Sequence, residues 1–571
     1  MAIDFPSALP PQQATVVQIA EWAGASNIYQ GVVNGYQIRV SGDHYLSREQ
    51  LDKIFKSATT PSQAIFLMSS AALRNGHMLV SMQYAPDGEA IYVHALQARV
   101  VELKGGEIST FFTDLKDKPS LSRAEFDRAR VMANVRSERT GIDYSVSYTV
   151  DENTPERVAM VFSGEPREDY DATDLVFKFG NQGSRYVGRY FGDVGLSHNF
   201  DDGSRATAML ETAFTDLGES RGGEDYYRVQ LTADRPFAAG LYGVSAGHTE
   251  YSQDLGSSST SSTTTASNSG LICDVLGVLG LCSPSPTATI NTQKVGLDAK
   301  INTLGISGEQ VLFSDLSSRL NVFERLDYID SQIDVGVFGN LQDEKYATLE
   351  LGGKYFSADL RGPKALRWSA QLSLKAGVTR DTGSLGTYKE YRAQYLANNA
   401  GATTAPQVVP SARTAEFISL MPRFTAKLPI AGAGELRVNA MAQLANEQLP
   451  QQQQWVLGGM GSISAYLPGV LAGDSGYYGK LDYGQSLRVL SIDIEPEVFV
   501  EYGAAWFENA AGDDGEARSI VDAGVKFSAD LAWGVQVDAV IARAIADDGF
   551  ANLSTLKSYE SDFYFSLKKI F

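Results

Sequence analysis

The chain has 571 residues, with 54 glycines, 27 tyrosines, 26 phenylalanines and only 2 cysteines, which is more than one compact domain usually holds. A net charge of −20 argues against a nucleic-acid binder, which needs a basic face, and by itself suits an acidic, solubilising surface. Mean hydropathy is −0.16 and no apolar run reaches the ~18 residues of a membrane helix, so helical spans are excluded, whereas a β-barrel, in which only alternate residues meet lipid, is not.

Residues 1–35 form a lead segment. MAIDFPSALPPQQ has neither a basic nor an apolar leader region, and the rest of the chain favours an export signal that has been removed. Val16, Ile19, Ala20 and Ala23 fall at helical spacing, so the spacing predicts a short amphipathic helix that needs a docking surface.

Residues 36–105 read as a small α/β unit. YQIRVSG is a strand ending in a glycine turn. Ser47, with Glu49 and Gln50 behind it, opens a helix that buries Leu46, Leu51, Ile54 and Phe55. A second helix runs through AIFLMSSAALRNG to Gly76. The strands LVSMQYA and IYVHALQARVVEL follow, joined by Pro86, Asp87 and Gly88. Residues 106–168 repeat the order. GEISTFF reads as a strand, LSRAEFDRARVMANV as a helix, and DYSVSYTVDE and ERVAMVFSGEP as two more strands. Two successive units of like order are an internal repeat.

From about residue 169 alternation becomes the rule. Tyr186, Tyr190, Val194, Leu196 and Phe200 share one face, while Arg189, Asp193, Ser197 and Asn199 share the other. Tyr227, Val229 and Leu231 alternate likewise, as do Leu531, Trp533, Val535, Val537, Ala539 and Ile541. Long runs with aromatics near their ends favour a membrane barrel over a soluble sandwich. At roughly 25 residues per strand with its connection, the stretch to Phe571 holds about 16 antiparallel strands. Residues 256–270 and 396–414 are polar, low-complexity loops expected on the outer face. Cys273 and Cys282, nine positions apart beside the first tract, suit a disulfide in an oxidising compartment, with two free thiols the alternative. With no histidine nearby they make no zinc site.

WVLGGMGSISAYLPGVLAGDSGYY, residues 455–478, is too glycine-rich for a core strand or a stable helix. It reads as a long loop folded back into a cavity. After it, Phe499, Glu501 and Gly503 alternate with Val498, Val500 and Tyr502. The second set suits lipid, which puts Glu501 in the lumen as a candidate anchor for the loop. At the end of the chain Phe563, Phe565, Leu567 and Phe571 share parity, with Lys569 the exception. A last strand ending in Phe is the signal that barrel-assembly machinery reads.

Chemistry is sparse. His198 and Asn199 lie in SHNFDDG, without the order of residues that barrel hydrolases carry, and GDDGE at 512–516 lacks EF-hand spacing. No phosphate loop or zinc set appears. The expectation is no enzyme, no cofactor and no metal.

Several of these motifs, taken in order, resemble the two-partner secretion (type Vb) outer-membrane transporters of the POTRA-plus-barrel superfamily. The two α/β units resemble POTRA domains. FGNQGSRYVGRY, residues 179–190, is similar to the family's opening barrel strand. Within 455–478, Gly458, Gly459, Ile463, Ser464, Ala465, Tyr466, Gly473 and Gly476 match its barrel-inserted loop. VFVEYG and DAGVKF match the strands after that loop. The resemblance implies periplasmic POTRA domains that capture an unfolded exoprotein by strand addition. It also implies passage through the barrel without ATP, outer-membrane lipid around the wall, and barrel-assembly machinery as a partner in biogenesis. It implies a pore plug for the N-terminal helix, which is shorter here than usual. A factor that assembles proteins into the outer membrane, from the same superfamily, is the alternative. One departure matters. The family loop reads Val-Arg-Gly-Tyr or Phe, and its arginine pairs with an aspartate, whereas here Ser464 and Glu501 stand at those places. A serine–carboxylate hydrogen bond is the weaker substitute, so the expectation is a loop that is inserted but held less firmly.

Overall fold

The computed structural model describes residues 3–23, 28–151, 154–183, 187–214, 217, 225–263, 288–335, 339–358, 365–398, 412–430, 434–489, 492–509, 515–550 and 556–571. Cys273 and Cys282 lie outside them. So does most of the GDDGE turn.

The lead segment contains β1 (Gln12–Gln13) and α1 (Val16–Ala23). The first unit runs β2 (Tyr29–Val33), β3 (Tyr36–Gly42), α2 (Arg48–Ser57), α3 (Pro61–Arg74), β4 (Val80–Asp87) and β5 (Ala90–Gln97). Its sheet has the order β1-β4-β5-β3-β2. The predicted capping box is present: the Ser47 side chain accepts from the Gln50 amide, and the Gln50 side chain accepts in return from Ser47 N–H. Thr60 caps α3, with Pro61 at the first helical position, where its missing N–H costs nothing. Val40, Leu51, Met68, Met82 and Val93 form the core between helices and sheet. Helix α1 lies against β3, β4 and β5. That is a surface of the first unit, in contrast to the plug position that the resemblance implied.

The second unit contains β6 (Arg99–Lys104), α4 (Arg123–Thr140), β7 (Ile142–Asp151) and β8 (Thr154–Pro166), with sheet order β6-β8-β7. Two expectations are corrected here. IYVHALQARVVEL is two strands, broken at Ala98, and the second of them, β6, pairs in parallel with β8 of the second unit. GEISTFF is no strand: Gly106–Leu115 is a 3₁₀-helix. Ile108, Phe111, Phe112 and Leu115 are all buried in one core with Phe126 and Phe162. A spacing of three to four residues, not two, serves that burial. The N-terminus joins this unit as well. Ile3 bridges Tyr144 in parallel, and Ile3 and Leu9 lie in the same core.

Sixteen strands then close a barrel, as the length implied. They are β9 (Thr173–Gly180), β10 (Phe191–Asn199), β11 (Arg205–Ala213), β12 (Asp225–Phe237), β13 (Gly240–Thr263), β14 (Ala288–Ser314), β15 (Ser318–Val335), β16 (Gly339–Ala358), β17 (Arg367–Gly377), then, after helix α5 (Thr387–Asn398), β18 (Ile418–Pro429) and β19 (Gly434–Ala445). The short pair β20 (Trp455–Leu457) and β21 (Leu471–Gly473) stands apart from the wall. The wall resumes with β22 (Ser475–Gln485) and its continuation β23 (Leu487–Val489), which count as one strand. It ends with β24 (Ile492–Trp506), β25 (Arg518–Leu531), β26 (Val535–Asp548) and β27 (Tyr564–Ile570). All neighbours are antiparallel, and β27 pairs with β9.

Alternation is realised in the wall. Val194, Leu196, Leu231, Val244, Leu304, Val498 and Val500 are exposed on the outer face. The short turns, such as 200–204 and 238–239, lie on the side of the two α/β units. At the opposite end of the wall, β17 and β19 run into longer connections. Two further readings change. Of the 179–190 motif, Phe179 and Gly180 belong to β9, and the other described residues, 181–183 and 187–190, belong to neither β9 nor β10. The serine- and threonine-rich tract expected as a loop from residue 256 is strand as far as Thr263, paired with β14.

Candidate functional site: a loop seated against the inner wall

The connection between β19 and β22 folds inward and carries its own small core. Its hairpin of β20 and β21 leads to a tip at residues 458–467. Leu457, Ile463, Ala465, Tyr466, Leu467 and Leu471 are buried against wall residues Tyr478, Phe499, Ile520, Val540, Ala542 and Tyr564. An inserted apolar loop is stable only because the lumen offers this matching face.

The tip is tightly turned. Ile463 adopts a left-handed backbone, φ 60°, while fully buried; for a β-branched residue that is strained and persists only where the surroundings enforce it. Gly458 has φ 122°, and a Cβ there would stand 2.3 Å from the Leu467 carbonyl oxygen. The turn presents two consecutive amides to the wall. The Ser464 N–H donates to Glu501 Oε2 at 2.7 Å, and the Ala465 N–H donates to Asp522 Oδ2 at 2.7 Å. Glu501 on β24 and Asp522 on β25 are register partners, and both are fully buried. Tyr478 OH donates to Glu501 Oε1 at 2.7 Å and also reaches the Gly461 carbonyl at 2.8 Å. The loop thus meets two carboxylates with backbone donors, and bonds to a charged acceptor are among the strong ones.

This corrects the expected serine–carboxylate bond. The Ser464 hydroxyl turns back into the tip and accepts from the Gly461 N–H at 3.2 Å. Main-chain amides, which no substitution at position 464 except proline removes, stand where the arginine would be.

The loop and wall residues singled out in the sequence each have a place. Gly458 and Gly459 open the tip, Ile463, Ser464, Ala465 and Tyr466 form it, and Gly473 ends β21. Gly476 lies in β22, where a Cβ would meet Trp455 Cδ1 at 2.2 Å. Phe499, Glu501 and Gly503 share the inner face of β24; a Cβ at Gly503 would stand 2.9 Å from Ile463 Cδ1, so the close approach of the tip requires glycine there. The terminal aromatics lie apart from the loop. Phe563, Leu567 and Phe571 are exposed, and Phe571 sits edge-on to Phe177 across the closing seam.

Asp522, Tyr478 and Tyr564 were not singled out in the sequence. Tyr564 OH donates to the Tyr466 carbonyl at 2.6 Å. An inward acidic residue in DAGVKF is visible as parity alone, but its place opposite Glu501 needs the register between β24 and β25. Below the tip a charged seam continues. Lys480 lies 2.9 Å from Glu497 and 4.0 Å from Glu501, and Arg437 bonds Asp482, Glu495 at 2.6 Å and Glu497 at 2.5 Å. Arg437 and Lys480 thus pair the buried carboxylates of Asp482 and Glu497, which lowers the cost of their burial.

Residues 291–527 match the family model described as haemolysin secretion/activation protein ShlB/FhaC/HecB. Over this stretch of its barrel the chain is similar to that family. No curated protein sequence matches the chain. Among solved structures, CdiB from Escherichia coli superposes with a TM-score of 0.62 at 12% identity, over 96% of this chain and 92% of that one. CdiB from Acinetobacter baumannii gives a TM-score of 0.58 at 12% identity, over 100% and 91%. At such identities the superpositions speak to the fold, and they cover the α/β units as well as the barrel. By its description that family serves the secretion and activation of haemolysins.

Proposed function

We propose that the two α/β units lie in the periplasm and capture an unfolded exoprotein, which then crosses the outer membrane through the barrel lumen after the inserted loop gives way. Strand β2 is the outer strand of the first sheet, and the opposite edge at β4 is covered by β1. Client capture by strand addition therefore falls to β2, through main-chain bonds that tolerate many sequences. Glu501 and Asp522 hold the loop in the resting state. Lipid surrounds the exposed aliphatic belt, and the Phe571 end serves recognition by the assembly machinery.

The observation that carries this reading is a loop seated inside a closed barrel that is joined to two α/β units. A passive pore needs no such units. The test deletes this protein from its host and compares the secreted proteins. Loss of one large exoprotein from the medium, restored by the wild-type chain, is expected; an unchanged set of exported proteins would contradict the reading.

A further inference from the structure

The wall is thinnest where it closes. Strand β27 pairs with β9 from Ser566↔Gly180 to Ile570↔Val176, five pairs extended by the mutual main-chain bonds of Phe571 and Leu175, against thirteen between β25 and β26. Beyond Gly180 the ladder does not end in unpaired backbone. Asn181, 4% exposed, continues it with its main-chain N–H, which donates to the Phe565 carbonyl at 3.2 Å, and with its side chain. Its Oδ1 accepts from the Phe565 N–H at 2.7 Å, and its Nδ2 donates to the Phe563 carbonyl at 3.0 Å. A carboxamide has one acceptor and one donor group, as a peptide unit does, and here it stands in for the missing strand residue. Arg189 adds bonds to Ser561 Oγ at 2.8 Å and to the Phe563 carbonyl at 3.3 Å.

The same strap, residues 559–565, holds the loop tip on its other side. The Ser561 N–H donates to the Ala465 carbonyl at 2.9 Å, the Leu467 N–H donates to the Tyr559 carbonyl at 2.7 Å, and Glu560 bridges Tyr466. The loop tip, the strap and the seam therefore share one run of backbone.

We propose that Asn181 is a positioning residue that couples the closing seam to the inserted loop through this strap, so that release of the loop loosens the seam and weakening of the seam releases the loop. Such coupling is reciprocal, because each side changes the free energy of the other by the same amount. The proposal rests on the reading that the loop occupies the resting lumen, but not on any client.

The test is a double-mutant cycle in the full-length protein. Asn181→Ala removes the carboxamide and Glu501→Ala weakens the loop seat from the opposite wall. Opening frequency in planar bilayers reads the loop, and the temperature at which the barrel loses its compact gel mobility reads the seam. Asn181→Ala is expected to raise opening frequency up to roughly 30-fold, the factor for two buried hydrogen bonds, and to lower the transition temperature. Glu501→Ala is expected to lower that temperature too, and the double variant to depart from the product of the single effects. If Asn181→Ala does not assemble, Arg189→Ala takes its place in the cycle with the same expectations. Multiplicative effects, or a seam temperature unmoved by Glu501→Ala, would overturn the coupling. They would leave the transport reading intact, since export is not measured.

Discussion

Removing the Glu501 carboxylate isolates the bond between the loop tip and β24. Two bonds end on this group, but only the one from the Ser464 N–H joins loop to wall, because Tyr478 belongs to the wall itself. A hydrogen bond to a charged partner contributes roughly 1.5–3 kcal/mol. Glu501→Ala also relieves the repulsion of Asp522 across the register pair, which places the net loss near the low end, about 2 kcal/mol. Every 1.4 kcal/mol is about a factor of ten, so the unseated fraction of the loop should rise roughly 30-fold. Glu501→Gln keeps an acceptor but no charge, and should cost less than half as much. The assay is single-channel recording, paired with proteolysis at the loop. More frequent openings with faster cleavage in the order Ala, Gln, wild type are expected. Equal opening frequencies in all three proteins would refute the anchoring argument.

Other outcomes follow from the same geometry. Ser464→Arg would place a cation beside Glu501 and Asp522 and should lower channel conductance below wild type; unchanged conductance counts against the anchoring account. Gly476→Val should reduce the yield of folded barrel, because its side chain would overlap Trp455 and the Ala504 carbonyl; normal yield on heat-modifiability gels would argue otherwise. In the first unit, burial lowers the His94 imidazole below its usual value, against a smaller raising effect of Asp43. A base lowered in the folded state contributes stability that is full above its unfolded pKa of about 6.5 and is lost as pH falls below it. Hydrogen-exchange protection factors in β3–β5, which remove the intrinsic pH dependence of exchange, should therefore fall as pH drops from about 6.5 to 5, and His94→Gln should flatten that dependence.

The barrel was legible because lipid and lumen impose a period of two along the wall, and residues such as Val498, Glu501 and Gly503 obey it. The inserted loop was legible as an excess of glycine that neither strand nor helix accommodates. What escaped was set by register and by three-dimensional neighbours. GEISTFF contains β-prone residues, yet the second core demands the spacing of Ile108, Phe111, Phe112 and Leu115 and so selects a 3₁₀-helix. Strand β6 follows β5 after a single residue, so only its pairing with β8 reveals which sheet it joins. Asp522 and Asn181 act through partners 57 and 384 positions away in the chain, and no local pattern announces contacts of that reach. Ser464 was the most misleading residue. Its side chain suggested a weakened loop, whereas the bonds to the wall come from main-chain amides that a side-chain reading does not count.

The central claim, that the exoprotein passes through the lumen now filled by the loop, can be tested by tethering the loop. Ile463 Cγ1 lies 3.0 Å from where a Cβ of residue 503 would stand, which brings the two Cβ atoms within about 4.5 Å, inside the reach of a disulfide. In a chain with Cys273 and Cys282 replaced by serine, Ile463→Cys with Gly503→Cys should block export of the exoprotein when oxidised and restore it on reduction. Undiminished export with the tether formed would contradict the account.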